Sequence, residues 1–256
     1  MRFTFNRLKA RWYRKGLDYS TLPGIATSFI LPRTTDARTV LDIGSGCGTL
    51  AVPLARAGKR VTALDASAAM IEILKEDIRK EKIKGIRPVH ASWGSVELKA
   101  HDVVICSNVP ALVGTPGFLS DAQRLAKKAV FIIENADPDS DKFYYRELYP
   151  LLFNKEFGKR TDYMKTYGRL HSMGIFANVE IIEYDFDQPF DDIDEAVEFW
   201  KEYIGIVTEE HDAALKGFLS KKLVRKKGTL LARFHKKSAI MWWRKTPLRK
   251  YSPGRA

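Results

Sequence analysis

The sequence holds only two cysteines, Cys47 and Cys106, both inside apolar stretches. That excludes a disulfide-stapled secreted scaffold and points to a reduced, cytosolic chain. Long apolar runs are missing too. Stretches such as Val103-Val104-Ile105-Cys106 fall far short of the roughly 20 residues that a membrane span needs. Residues 1–15 are basic and aromatic, with no apolar segment of signal-peptide length, so the expected location is the cytoplasm and no membrane partner is expected. The five histidines, His90, His101, His171, His211 and His235, are scattered without metal-ligand spacing, and no metal site is expected. There is no internal repeat. With 45% apolar residues over 256 positions the chain is neither disordered nor collagen-like, and it is long enough to bury a core without staples.

Acidic residues are absent from the end of the chain. Residues 221–256 carry 13 basic and no acidic groups, whereas residues 136–220 are net −10 and residues 1–135 net +9. A basic end beside an acidic middle is compatible with nucleic-acid affinity. It is equally compatible with complementarity inside the molecule.

Residues 2–33 read as one or two basic amphipathic helices, with Phe3, Leu8, Trp12 and Tyr13 interleaved with Arg and Lys. Short apolar strands then alternate with helical stretches. Strands are expected at 39–43, 60–64, 86–91, 102–106 and 129–134, with helices at 49–57, 67–83 and 118–128. That rhythm predicts β-α-β units and a parallel sheet. Beyond Asn135 it changes: 142–174 and 191–227 read as helical, 178–185 as a strand, and 229–243 as one long closing strand.

The segment Val40-Leu41-Asp42-Ile43-Gly44-Ser45-Gly46-Cys47-Gly48 carries the chemistry. An apolar strand delivers an acid just before a glycine turn, and a helix with unpaired N–H groups follows. The second strand ends in Asp65, at the same edge of the sheet, where a carboxylate can accept both hydroxyls of a ribose. A dinucleotide loop would place its third glycine at position 49, but Thr stands there, and Asp42 would repel a pyrophosphate. No G-K-[ST] follows, which excludes a Walker loop. An adenosine ligand without phosphates remains.

This stretch resembles the first motif of the class I S-adenosylmethionine-dependent methyltransferases, an acid followed by G-x-G-x-G. Residues 62–74 are similar to that family's second motif. The resemblance covers residues 35–135, and residues 168–185 and 229–243 more weakly. It implies a Rossmann-like α/β fold: a seven-stranded, mostly parallel sheet with helices on both faces and an antiparallel last strand. It further implies S-adenosylmethionine as cofactor. Gly44, Gly46 and Gly48, with Ser45 among them, would lie against its methionine part, and Asp42 would orient the loop. Asp65 would hold the ribose diol, with Ala66 and Met70 on the adenine. Ser92 and Trp93 close the third strand where many relatives carry an acid for the adenine amino group, so that contact departs from the pattern. Ser107 and Asn108 would stand beside the methyl group.

The sulfonium methyl is itself a strong electrophile, so positioning a nucleophile roughly 3 Å behind it is most of the task. No catalytic residue stands out, and a general base is optional. The expected organisation is a single domain over 1–256. It comprises a helical cap (1–33), a cofactor core (34–135), helical insertions at 138–165 and 191–227 forming a lid over a small-molecule acceptor, and a basic tail (244–256). One alternative is an RNA methyltransferase that uses the basic terminal segments. Against it, Ser107-Asn108-Val109-Pro110 departs from the [DNS]-P-P-[YFW] motif of amino-methylating enzymes, and no proline precedes Cys106. A second alternative is a non-catalytic protein that binds the cofactor. The oligomeric state is not legible from the sequence.

Overall fold

The computed structural model describes residues 5–141, 143–226 and 228–245. The chain opens with α1 (Arg7–Leu17), whose first turn is capped by the Asn6 side chain accepting from the Lys9 N–H at 2.8 Å. Next come α2 (Leu22–Ile30) and a 3-10 turn (Leu31–Thr34). The alternating half follows: β1 (Thr39–Ile43), α3 (Ala51–Arg56), β2 (Arg60–Asp65), α4 (Ala68–Lys80), β3 (Ile86–His90) and β4 (His101–Ser107). A short α5 (Pro110–Val113), α6 (Phe118–Leu125) and β5 (Ala126–Asn135) complete it.

The second half holds α7 (Tyr145–Phe153), α8 (Met164–Ser172), β6 (Asn178–Asp185) and β7 (Gln188–Phe190). Then come α9 (Ile193–Ile204), α10 (Asp212–Lys222), β8 (Val224–Lys226), β9 (Thr229–Ala232) and β10 (His235–Arg244). The main sheet has seven strands in the order β3-β2-β1-β4-β5-β10-β6. β10 runs antiparallel to both of its neighbours, while the pairs among β1 to β5 are parallel. This is the Rossmann-like sheet with an antiparallel last strand. Strand order reverses between β1 and β4, so a crevice opens there beyond the carboxyl ends of the strands.

Alternation along the strands sends one set of side chains to each face. Leu22, Leu54, Ile71 and Phe131 belong to the core under α2, α3 and α4. Ile43, Val104, Phe118 and Leu170 form the core under α5, α6 and α8. A third core lies outside the main sheet and joins α1, α7, α9 and α10 through Trp12, Leu148, Phe199, Trp200 and Leu219.

Several expected elements divide. The closing strand 229–243 is two strands: β9 pairs with β7 and β8 in a separate three-stranded sheet, and β10 enters the main one. The break falls where Phe234 buries its ring in the third core and its N–H donates to the Asp187 carboxylate at 2.9 Å. The helical span 142–174 is interrupted after α7, where Asn154 takes a left-handed φ of +51°. The span 191–227 breaks after α9 at Gly205, φ +89°, and its end is strand β8. Helix 118–128 stops at Leu125, with Ala126 already in β5. Of the basic tail, 246–256 lies outside the described residues.

Candidate donor-binding site

The loop after β1 is tied to the end of β2 first through backbone: Gly44 and Ser45 N–H donate to the Leu64 carbonyl at 2.8 and 3.0 Å. Asp65, at the end of β2, accepts the Gly46 N–H on one oxygen and the Ser67 N–H on the other, each at 2.8 Å. Ser67 then caps α4 by accepting from the Met70 N–H. Gly44 and Gly48 have φ of +72° and +95°, which an L side chain resists. A Cβ at Gly44 would fall 2.6 Å from Val109 Cγ2, and one at Gly48 2.7 Å from Leu74 Cδ1. Both positions demand glycine for space as well as for conformation.

Asp42 is 2% exposed, and its Oδ2 has no hydrogen-bond partner. Burial, reinforced by the nearby Asp65 charge, pushes its carboxyl up to about 7. Asp65 is also raised, chiefly by burial, although its two backbone bonds oppose the shift. Ser45 Oγ is likewise buried without a partner. Two unpartnered polar atoms at the foot of a glycine loop fit a ligand that brings its own donors.

These residues border a cavity of about 30 Å³ lined by Tyr13, Asp42, Gly44, Ser45, Gly46, Thr49, Leu50 and Ser107. Of the residues expected from sequence, Asp42, Gly44, Ser45, Gly46 and Ser107 meet at its wall. Asp65 and Met70 stand next to it, Asp65 through the Gly46 N–H and Met70 with Sδ 3.9 Å from the place of a Gly46 Cβ. Gly48 packs away from it, against Leu74 and Val52. Ala66 offers its carbonyl to the His90 ring at 3.3 Å. Ser92 and Trp93 do not line the cavity. Ser92 closes a turn with Ser95, and the Trp93 ring lies 5.1 Å from that of Phe118. Asn108 takes a left-handed φ of +56° with its N–H on the Ile133 carbonyl.

Tyr13, Thr49 and Leu50 are the lining residues that sequence reasoning did not single out. Thr49 and Leu50 directly follow the glycines, which was the available signal. Tyr13 arrives from α1 and bonds Thr49 Oγ1 at 3.1 Å; its hydroxyl is pushed far up by burial, then by Cys47. Burial raises both thiols, Cys47 to about 12, so neither is poised as a nucleophile.

The site is thus a glycine cradle at the switch point of the sheet, with Asp42 one residue before the end of β1 and Asp65 ending β2. Residues 40–129 match the family model described as a methyltransferase domain, and this part of the chain is similar to the class I S-adenosylmethionine-dependent methyltransferases. It is similar to an uncharacterized protein of Haemophilus influenzae, 29% identical over 210 residues, covering 80% of this chain and 75% of that one. It is 30% identical over 115 residues to a Methanosphaera stadtmanae protein named for ribosomal RNA small subunit methyltransferase A, covering 42% of each chain. It is also 30% identical over 121 residues to the ubiquinone biosynthesis O-methyltransferase of Rickettsia akari, covering 43% of this chain and 48% of that one. The solved magnesium protoporphyrin IX methyltransferase of Synechocystis PCC 6803, with SAH bound, shares the fold. Its TM-score is 0.52 at 12% identity, over 94% of this chain and 89% of that one. Among the described residues no helix is long and apolar enough to cross a membrane.

Proposed function

We propose that the protein transfers the methyl group of S-adenosylmethionine to a small-molecule acceptor at the carboxyl edge of β4. The observation that carries this reading is the pair of buried, unpartnered oxygens, Asp42 Oδ2 and Ser45 Oγ, below a glycine loop whose next-door strand ends in Asp65. When bound, the cofactor supplies an electrophilic sulfonium methyl. The residues of the chain do the rest. Asp65 accepts the ribose hydroxyls, Asp42 and Ser45 take up the amino-acid end, the Gly44 and Gly46 backbone allows close approach, and Gly48, packed on Leu74 and Val52, holds the loop in place. Ala66 and Met70 border the adenine, with Ser92 and Trp93 at its outer side. Ser107 and Asn108 face the methyl.

Helix α1 covers this cleft with Tyr13 and excludes water from it. Orientation and water exclusion of this kind account for roughly 7–11 kcal/mol of barrier lowering in well-aligned displacements. No side chain is required as a base.

A small acceptor is supported by that covered cleft, by the O-methyltransferase relatives and by how the basic end of the chain is used. Lys222 pairs with Glu147 at 2.7 Å, Lys237 with Glu183 at 2.6 Å and Arg244 with Asp36 at 2.8 Å. His235 bridges Glu183 and Asp185, each at 3.0 Å. Lys222, Lys237 and Arg244 are therefore matched by carboxylates within the chain. The test is incubation of the purified protein and methyl-labelled cofactor with fractionated cell extract. Label in the low-molecular-weight fraction supports the reading. Label that follows RNA, with binding that weakens steeply in salt, replaces it with an RNA acceptor.

A further inference from the structure

Residues 154–163, between α7 and α8, are stapled to the carboxyl end of β5. The Tyr163 N–H donates to the Asn135 carbonyl at 2.9 Å, and the Arg160 N–H to the Pro138 carbonyl at 3.1 Å. Asn135 Nδ2 reaches the Asp137 and Thr161 carbonyls at 2.8 and 3.3 Å. This anchoring sets the Arg160 side chain at the edge of the sheet where β4 and β5 end. Its guanidinium makes one hydrogen bond among the described residues, from NH1 to Ser140 Oγ at 3.2 Å. Ser140 is itself held by the Asp137 carbonyl at 2.8 Å.

Other half-buried cations of the chain are better served. Arg14 meets Asp77 and Asp18, each at 2.6 Å. Lys59 holds two carbonyls at 2.7 and 2.6 Å, and Arg169 holds two at 3.0 and 3.4 Å. Arg160 has no carboxylate within 4.0 Å among the described residues; Asp137 and Asp141 act on it only through space. A half-buried guanidinium with most of its N–H fan unused is costly unless something supplies the counter-charge. Desolvation accordingly lowers its affinity for its proton, although it stays charged.

Asn135, which ends β5 and holds Tyr163 of this segment, lies on the strand next to β4, and Asn108, just past β4, donates its N–H to the Ile133 carbonyl of β5 at 2.7 Å. Tyr184, on β6, acts on the guanidinium through space. Its hydroxyl bonds Ser238 Oγ at 3.1 Å, and the Asn108 side chain also acts on it. Asn108 Nδ2 donates to Ser107 Oγ at 3.3 Å, and Ser107 lines the cavity beside Asp42. We propose that the acceptor is an organic anion, its acidic group held by Arg160 and its body lying along Tyr184 and Asn108, so that the atom to be methylated points at the donor. Arg160 is thus a specificity residue. It touches the acceptor at the end remote from the reacting atom, and its planar fork suits a carboxylate or a phosphate. This inference rests on the methyl-transfer reading above.

The test uses the full chain loaded with S-adenosylhomocysteine and three simple probes at millimolar concentration: benzoate, phenyl phosphate and the neutral isostere benzamide. The readout is the thermal midpoint, since a ligand that binds only the folded state raises it. The expected result is a rise with one or both anions and none with benzamide. In Arg160→Met the anion affinity falls on the order of tenfold or more, and in Arg160→Lys it is partly retained. Which anion protects distinguishes a carboxylate from a phosphate acceptor. Equal protection by all three probes, protection by none, or anion protection that survives in Arg160→Met overturns the proposal. S-adenosylhomocysteine binding is titrated separately in each variant. It stays unchanged if only the acceptor assignment is in question, and its absence in the unsubstituted protein would instead sink the methyl-transfer reading.

Discussion

Asp65 concentrates more than one task in a single carboxylate. It holds the Gly46 and Ser67 N–H groups, and it is the candidate acceptor of the ribose diol. Hydrogen bonds to a charged group contribute about 1.5–3 kcal/mol each. Asp65→Ala should therefore lower cofactor affinity by about 100-fold or more in titration calorimetry, with the far-ultraviolet circular dichroism unchanged. Unaltered affinity would remove Asp65 from the site. Asp42 gives a prediction with a sign. An unfolded aspartate titrates near 3.9, while burial and Asp65 push this one up to about 7. The folded protein therefore binds more protons than the unfolded one between those values, and its stability falls as pH rises from about 4 to about 7. Below that window both states are protonated; above it both are ionised and the whole penalty, on the order of 4 kcal/mol, is present. Asp42→Asn should flatten this dependence and stabilise the ligand-free protein at pH 8. Because the donor is a cation, its affinity for the unsubstituted protein should strengthen as pH rises through about 7, and lose that dependence in Asp42→Asn. An unchanged slope of stability against pH would assign Asp42 an ordinary acidity.

At the scale of elements, the loop joining β1 to α3 shows which glycines are held by packing. Gly48 combines φ +95° with Leu74 Cδ1 and Val52 Cγ2 at 2.7 and 2.9 Å from the place of its missing Cβ. Gly58 has a similar φ, +86°, and nothing within 4 Å. Gly58→Ala should cost only the conformational term, about 1–2 kcal/mol. Gly48→Ala should add overpacking of about 1–3 kcal/mol and displace the loop, weakening donor binding as well. Equal loss of thermal midpoint in both would mean that the contact at Gly48 is relieved without cost. These elements were legible in the sequence because their signals are local: an apolar strand, an acid, glycines, then a capped helix. The long-range elements were not. β7 is three residues long, and β9 reads as continuous with β10 until Phe234 is seen turning into another core. Tyr13 belongs to the donor cavity only because α1 crosses to Thr49, a partner 36 residues away. No periodicity reports such a contact, and none reported Arg160.

At the scale of the whole molecule, α1 spans from the third core to the donor loop. On one side Trp12, 1% exposed, packs on Phe199 at 5.3 Å between ring centroids and donates Nε1–H to Glu195 at 2.9 Å. Its carbonyl accepts from Gln188 Nε2 at 3.0 Å. On the other side Tyr13 bonds Thr49, Arg14 holds Asp77 on α4, and the Phe5 carbonyl accepts from Ser67. The cavity beneath is about 30 Å³, enough for a water or two and far too small for a nucleoside. If donor entry lifts and re-seats α1, its attachment through Trp12 ties that motion to α9 and β7. Hydrogen exchange reads this directly, since local opening sets amide protection. On adding S-adenosylhomocysteine, protection should rise in the glycine loop and α1 together, and also in β7 and the first turns of α9, more than 170 residues away in sequence. Trp12→Ala should sever the link. It should cost about 3–5 kcal/mol of packing in the third core, quicken donor release, and confine the ligand-induced protection to β1 through α4. Protection confined in that way in the unsubstituted protein would show instead that α1 is a fixed wall and that the donor enters by another side.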